Sequence, residues 1–272
     1  EVGYGGMRDI AKQHLAEDTD LTDEQKDFYQ AVIITMEAAL NYCKRFSLLA
    51  KEEAAKTTDA KRRDELQAMS EMFAHLMEGK ARNFWEAVET VYLTHLLMMI
   101  ESNGHSFSFG RFDQYVWPFY EADINSGKIS KEKALEILTH FFIMTNSLNK
   151  VRPWGHTQYS GGYPLYSNLM VGGMKPDGTD GTNDLSYLSL EAMALTGLPE
   201  PNLSVRFSKD TPHSLMQDSA KLIRKGFGMP SIFCDEVVIP AMMTLGLSEE
   251  VAREYASMGC VETAIPGRWG HR

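Results

Sequence analysis

Apolar positions recur at helical spacing through the first hundred residues. After Thr22 they lie three or four residues apart, as with Phe28, Val32 and Phe46, and this period predicts an amphipathic helix. Thr22 followed by Gln25 has the sequence of a capping box, so we expect the helix to begin there.

Two more helices are predicted before residue 101. The charged segment from about Asp59 to Glu78 has the composition of a solvated outer helix. Asn83 with Glu86 forms a second capping-box sequence, and the helix that follows is apolar on most sides as far as Ile100. We therefore expect that helix to be buried.

The second half of the chain changes period, because short segments of strand character alternate with helices. The predicted strands are His105–Phe109, Asn168–Gly172, Leu203–Phe207 and Ser231–Cys234. The predicted helices are about Ser130–Asn149, Asp184–Leu195, Pro212–Lys225 and Ser248–Tyr255. This alternation indicates an α/β fold with a mainly parallel sheet, and such folds place their sites beyond the carboxyl ends of the strands.

Composition narrows the classes of function. The 272 residues are 43% hydrophobic, which is enough for a sizeable core, and the net charge is −10 with a pI near 5.3. An acidic chain is a poor match for nucleic acid or for an anionic membrane surface. No apolar run approaches the ~20 residues of a membrane span. The three cysteines, Cys43, Cys234 and Cys260, are widely spaced, which favours free thiols in a reducing cytoplasm.

The segment from Ser257 to Glu262 carries the most distinctive chemistry. In an extended loop Cys260 and Glu262 point to the same side, with Val261 anchored in the core behind them. Gly259 permits an unusual backbone angle beside the cysteine. A neighbouring carboxylate disfavours a thiolate, so the pair suits a neutral thiol that carries a hydrogen atom. The alternative is a small buried cysteine next to a solvated glutamate.

A second polar segment, 101–106, follows the predicted buried helix. Its His105 and Ser106 could bind substrate hydroxyls, or the segment is simply a helix-terminating turn. The histidines show no metal-ligand spacing, so no metal site is expected. Three cations, Arg268, His271 and Arg272, follow the cysteine segment; they favour an anionic substrate such as a sugar phosphate, unless they pair with carboxylates elsewhere.

Several ordered blocks together resemble the glycyl radical enzymes of the pyruvate formate-lyase superfamily. The blocks are Glu101–Ser106, Gly110–Tyr115, Asn168–Gly173, Pro201–Arg206, Pro230–Glu236 and Gly259–Glu262. The Gly-Cys-x-Glu sequence is similar to that of the branch containing glycerol and propanediol dehydratases, choline trimethylamine-lyase and hydroxyproline dehydratase. Thr263 is a departure, since the diol dehydratases usually have proline there.

The resemblance implies a fragment of a ten-stranded α/β barrel with a helix-rich N-terminal part. The whole chain would belong to one catalytic domain, with residues 1–100 as a helical layer and 101–272 supplying barrel strands, helices and the cysteine loop. The glycine-radical domain would lie outside it, because the chain contains no Arg-Val-x-Gly-Tyr motif. Both ends of the sequence look cut, so the fragment alone is expected to be inactive.

The resemblance also implies a mechanism. A glycyl radical, installed by an S-adenosylmethionine iron–sulfur activating enzyme, would convert Cys260 to a thiyl radical. Glu262 would act as general base, while His105, as a protonated partner, and Ser106 would contact the hydroxyls of a small diol or polyol. Homodimers are common in this superfamily.

Two other functions stay open. One is acyl transfer between pyruvate and coenzyme A, the formate acetyltransferase reaction of the superfamily, although Val261 stands where that enzyme has a second cysteine. The other is an inert binding or structural module.

Overall fold

The structure, a computed structural model, describes residues 2–148, 150–159 and 165–270. The chain divides into two units between Arg82 and Asn83, and each unit is described by itself. Among the described residues, no helix combines the length and the hydropathy that a membrane crossing requires.

The first unit contains three helices: α1 Gly3–Glu17, α2 Asp23–Lys56 and α3 Ala60–Glu78. The predicted capping box is present at the start of α2, where the backbone N–H of Gln25 donates to Thr22 Oγ1 at 3.2 Å and that of Thr22 donates to Gln25 Oε1 at 2.9 Å. At the start of α3 the Asp59 side chain accepts from the backbone N–H of Arg62 at 3.2 Å, so Asp59 caps this helix. Both predicted helices are therefore confirmed, whereas the short helix α1 was not predicted.

The second unit alternates helices with strands. Its helices are α4 Phe84–Ser102, α5 Phe112–Tyr115, α6 Trp117–Asn125, α7 Lys131–Asn146, α8 Trp154–Tyr159, α9 Asp184–Thr196, α10 His213–Ile223, α11 Asp235–Met243 and α12 Glu249–Ala252. Its strands are β1 Gly110–Arg111, β2 Asn168–Gly172, β3 Asn202–Phe207, β4 Ser231–Cys234, β5 Ala256–Met258 and β6 Glu262–Ala264.

Strands β1 to β4 form a parallel sheet in sequential order, as the alternating pattern predicted. All five residues of β2 are buried, so this strand belongs to the core rather than to an edge. Three of the four predicted strands are confirmed within one residue. The hydrogen-bonded hairpin of β5 and β6 was not predicted.

The predicted strand His105–Phe109 is wrong, because the sheet begins only at Gly110. Ser106 has a φ of +69°, in the left-handed region, and one such residue breaks an extended run. The segment is instead attached by separate hydrogen bonds to the chain before β2 and to its first residue. They run from Ser106 N–H to Leu165 O and from Phe109 N–H to Asn168 O, both 2.7 Å long.

A buried ion pair joins the carboxyl ends of β3 and β4. The Arg206 guanidinium, fully buried, donates to both carboxylate oxygens of Asp235 at 2.8 and 2.9 Å. Its remaining nitrogen donates to the carbonyls of Arg253 and Tyr255, each at 2.9 Å. Gly173 leaves room for this side chain, since a Cβ there would lie 2.4 Å from Arg206 Nε. The pair fixes the chain just before β5.

The same network explains why the helix predicted over Ser248–Tyr255 is shorter than expected. Helix α12 ends at Ala252, and the next carbonyl, that of Arg253, accepts hydrogen bonds from the side chains of both Arg111 and Arg206. Tyr255 donates its hydroxyl proton to Asp235 at 2.8 Å. These contacts turn the chain out of the helix and into β5.

Replacing Asp235 with asparagine should strongly destabilise the complete protein. The change would leave the Arg206 guanidinium buried without its counter-charge, at a cost of about 3–5 kcal/mol. We expect a lower urea midpoint when unfolding is followed by tryptophan fluorescence. Asp218→Asn is the control, because Asp218 pairs with Lys221 at the surface and its loss should matter far less. Equal midpoints for the two variants would contradict this assignment.

Candidate active site

Cys260 lies at the tip of the β5–β6 hairpin. Met258 pairs with Glu262, so residues 259–261 form a three-residue turn, and Cys260 is an exposed, free thiol. The expected extended loop is therefore wrong. Val261 does not anchor in the core, because the tight turn leaves its side chain 65% exposed.

Gly259 brings three candidate groups to one place. Its φ is +64°, and a Cβ there would lie 2.7 Å from Glu262 Oε2 and 3.3 Å from Ser106 Oγ. The backbone N–H of Val261 donates to the same carboxylate oxygen at 3.0 Å. The Glu262 side chain therefore folds back over its own turn, and the Ser106 hydroxyl lies close to the same turn.

Three buried polar side chains attach this turn to the sheet. The amide of Asn168 donates to the carbonyl of Gly259. Its oxygen accepts from Ser204 Oγ at 3.3 Å, and Ser257 Oγ donates to Ser204 Oγ at 3.4 Å. Because each of these side chains is at least 99% buried, water does not compete for the bonds.

The turn lies at the amino end of the parallel strands. Asn168 is the first residue of β2, whereas Arg206, which contacts the chain before β5, is near the end of β3. The hairpin therefore runs from the carboxyl ends back to the amino ends. The turn with Cys260 therefore does not lie beyond the carboxyl ends, where we expected the site.

The loop that supports Ser106 is shaped by a buried glutamate. The Glu200 carboxylate accepts from the backbone N–H groups of Leu165 and Tyr166 at 2.8 Å and of Ser167 at 3.1 Å. Burial raises the pKa of Glu200, and these hydrogen bonds act in the opposite direction. Glu200 thus holds the loop that accepts the Ser106 N–H.

His105 is next to this cluster. Its ring centroid is 6.2 Å from that of His156 and 6.3 Å from that of Tyr166. Desolvation lowers its pKa from the ordinary value of 6.5, as do the charges of Arg152, His156 and Lys150, while Glu262 raises it. The net direction favours the neutral imidazole over the protonated form.

The structure thus brings Ser106 and Glu262 close to Gly259, in the turn that carries Cys260, and His105 directly precedes Ser106 in the chain. Sequence reasoning missed Asn168 and Glu200 as supports, and it missed Lys150 and Arg152 as neighbouring charges. The only available signal was the Lys-x-Arg sequence between two helices.

The three cations after the cysteine segment were considered for an anionic substrate. Arg268 pairs with Glu254 at 2.5 Å, so for this residue the alternative of an ion pair elsewhere is confirmed. His271 and Arg272 lie outside the described residues. Within the described ranges, no group of three or more potential ligands is placed to hold a metal ion.

Known proteins are similar to this chain in sequence and in fold. A family model described as pyruvate formate lyase-like matches residues 1–271. A probable dehydratase of Escherichia coli K12, YbiW, is 39% identical over 100% of this chain and 34% of its own length. The (2S)-3-sulfopropanediol dehydratase of Klebsiella oxytoca is 36% identical over 98% of this chain and 33% of its own.

A solved structure gives the same picture. The B12-independent glycerol dehydratase of Clostridium butyricum, solved with glycerol bound, superimposes with a TM-score of 0.93 at 41% identity; the match covers 98% of this chain and 34% of that enzyme. The chain therefore spans about a third of the length of the relatives that it matches.

Replacing Asn168 with leucine should loosen the cysteine turn. The change removes the donor to the Gly259 carbonyl and the acceptor for Ser204, and unmade buried hydrogen bonds cost about 1–3 kcal/mol each. We expect faster amide hydrogen exchange over residues 256–264 of the complete protein. Asn202→Leu, at the paired position of β3, is the control and should not alter exchange there. Unchanged exchange in Asn168→Leu would show that the turn does not depend on this residue.

Replacing Glu262 with glutamine should lower the pKa of His105 further, because the Glu262 charge is the one that raises it. The pKa can be followed by NMR of the complete protein labelled with 13C-histidine, with His105→Gln to assign the signal. Glu236→Gln, two residues after another cysteine, is the control. An increase or no change in the His105 pKa would separate the two side chains.

Proposed function

Because the chain belongs to the pyruvate formate lyase-like family, we propose that it is part of a glycyl radical dehydratase that cleaves a C–O bond in a small diol or polyol. The resemblance found in the sequence is confirmed, and so is the fold class, a part of an α/β barrel. The observation that carries the proposal is that the Glu262 carboxylate and the Ser106 hydroxyl both lie close to Gly259, next to an exposed cysteine.

In this proposal Cys260 carries the hydrogen atom. A glycyl radical in another part of the complete protein would supply the unpaired electron, and the Cys260 thiol would give up its hydrogen atom to it. The resulting sulfur radical takes a hydrogen atom from a substrate carbon that bears a hydroxyl. A free thiol at the tip of a hairpin fits this role, because a side chain at the tip projects beyond the backbone of the turn.

Glu262 moves the proton. A hydroxyl on a carbon radical is more acidic than in the intact substrate, so a nearby carboxylate can accept its proton. The neighbouring C–O bond then breaks, and the leaving hydroxide becomes water by taking up one proton. The protons balance in this step, because Glu262 receives one proton from the substrate hydroxyl and the leaving hydroxide takes up one proton. Cys260 finally returns the hydrogen atom to the product carbon.

Ser106 and the neutral imidazole of His105 orient the substrate hydroxyls. Each can donate and accept a hydrogen bond. The backbone hydrogen bond from Ser106 N–H to Leu165 O holds the serine in its left-handed conformation, next to the turn with Cys260. These fixed side chains take the place of water molecules around the reacting carbon of the substrate.

The proposal extends to the rest of the protein. An S-adenosylmethionine iron–sulfur enzyme would install the radical, two copies of the protein would form a dimer, and the whole chain would lie in one catalytic domain. A reducing cytoplasm would keep Cys260 as a thiol. Nothing in the site favours acyl transfer, since the exposed Val261 follows Cys260 where that reaction uses a second cysteine.

Replacing Cys260 with alanine in the complete, activated enzyme should abolish water elimination from propane-1,2-diol or glycerol, by at least about a thousandfold. The glycyl radical signal in electron paramagnetic resonance should still form, because its site is elsewhere.

Cys234→Ala is a matched control. Cys234 is also exposed and also precedes a glutamate by two residues, with its Sγ 3.5 Å from Glu236 Oε2. This variant should retain turnover. Retained turnover in Cys260→Ala would refute the proposed reaction.

A further inference from the structure

Glu200 is a buried carboxylate that the proposed reaction does not use. It is 3% exposed, and burial raises the pKa of its carboxyl group. Within the described residues, the groups that lower this pKa are backbone N–H donors, and no cation is among them. A buried carboxylate is costly unless hydrogen bonds or a counter-charge compensate it. The backbone that Glu200 binds therefore indicates its role.

Glu200 binds three consecutive N–H groups of one loop. Its Oε1 accepts from Leu165 and Tyr166, each at 2.8 Å, and its Oε2 accepts from Ser167 at 3.1 Å. Tyr166 has a φ of +54°, in the left-handed region that bulky residues rarely adopt. Successive N–H groups in such a turn form a concavity that binds an anion. The carboxylate fills this concavity and stabilises a conformation that the loop would otherwise avoid.

Leu165 links Glu200 to the candidate active site. Its N–H donates to the carboxylate, and its carbonyl accepts the N–H of Ser106 at 2.7 Å. Leu165 is 1% exposed, so water does not compete for either bond. Ser106 Oγ lies 3.3 Å from the position that a Cβ on Gly259 would take. A displacement of Leu165 therefore moves the Ser106 hydroxyl relative to the turn with Cys260.

Ser108 connects the same two segments a second time. Its hydroxyl oxygen accepts the N–H of Asn168 at 3.1 Å, and its proton is directed to the carbonyls of Ser106 and Tyr166 at 3.3 and 3.4 Å. Segments 106–109 and 165–168 are thus tied at several points and should move together. Glu200 lies outside both segments and holds three N–H groups at the start of the second.

We propose that Glu200 is a positioning residue, which acts through Leu165 to hold the Ser106 hydroxyl where it binds a substrate hydroxyl. This inference rests on the proposed function, since Ser106 is the substrate contact there. The oxygens of Glu200 are directed to the loop backbone, so Glu200 exchanges no proton with the substrate. The alternative is a purely structural role at the start of β2, and the experiments below separate the two.

The first experiment measures amide hydrogen exchange in the complete protein. In Glu200→Gln the amide oxygen can still accept from Leu165 and Tyr166, but the NH2 group would face the N–H of Ser167, donor against donor. The variant should therefore fold with a looser loop. We expect exchange over residues 103–109 to be about tenfold or more faster, because the Ser106 N–H loses its fixed acceptor.

Glu236→Gln is the matched control for this measurement. The Glu236 carboxylate also accepts a backbone N–H, that of Lys209 at 2.8 Å, but it serves the loop after β3. Exchange over residues 103–109 should be the same in this variant as in the unaltered protein.

The second experiment is a double-mutant cycle on binding of propane-1,2-diol, measured by calorimetry without radical activation. Ser106→Ala and Glu200→Gln should each weaken binding about tenfold. The double variant should bind within about twofold of Ser106→Ala, because no hydroxyl is left for Glu200 to position. Independent, structural effects would instead multiply to about a hundredfold.

Glu200→Asp provides a second variant if Glu200→Gln does not fold. It keeps the buried charge but withdraws the oxygens by about 1.5 Å, the length of one C–C bond. It should show the same faster exchange over residues 103–109 and the same non-additive effect with Ser106→Ala.

The inference is overturned if exchange over residues 103–109 is unchanged, or if the effects of the two substitutions on diol binding multiply. Either result, together with Cys260-dependent dehydration of propane-1,2-diol, would refute the role of Glu200 and leave the proposed function standing. Faster exchange and non-additive binding without Cys260-dependent turnover would refute the dehydratase proposal and leave the role of Glu200 standing.

Discussion

The ion pair between Arg206 and Asp235 is the constraint on which the placement of the cysteine hairpin depends. It is fully buried, and the guanidinium also stacks over the Tyr255 ring with its carbon 3.8 Å from the ring centroid. The same carboxylate accepts the N–H of Met174 after β2. One charge pair therefore links three parallel strands to the segment that begins the hairpin. A buried pair of this kind tolerates little displacement, because separating its charges leaves each one desolvated.

The hairpin is held differently at its two ends. Its base is clamped by charges at the carboxyl ends of the strands, while its tip is attached at the amino ends by the neutral amide of Asn168. A neutral hydrogen bond contributes about 1 kcal/mol, far less than the buried pair costs to break. The buried pair thus fixes the direction of the hairpin, and neutral buried hydrogen bonds hold the turn with Cys260.

Much of the fold could be predicted because its signals are local. Capping residues such as Thr22 and Asp59 act within one helical turn, and the apolar runs of β2 and β3 are strands whatever surrounds them. The failures involve distant residues. Ser106 leaves the extended conformation while its N–H bonds to Leu165, and helix α12 stops where its next carbonyl meets Arg111 and Arg206. The pattern of apolar and polar residues near residues 106 and 253 does not reveal these distant partners.

The candidate site shows the same division. The sequence contains Cys-x-Glu twice, at Cys234 and at Cys260, with equal spacing and similar exposure of the thiol. Near Cys234, the Glu236 carboxylate accepts the N–H of Lys209 at 2.8 Å and so serves the loop after β3. The carboxylate of Glu262 instead lies over Gly259, where Ser106 also approaches.

Spacing along the chain therefore does not distinguish a structural Cys-x-Glu pair from a candidate catalytic one. The two pairs differ in the Ser106 hydroxyl, whose position follows from the fold and not from the local sequence. The anchored hairpin places the second pair, and not the first, near that hydroxyl.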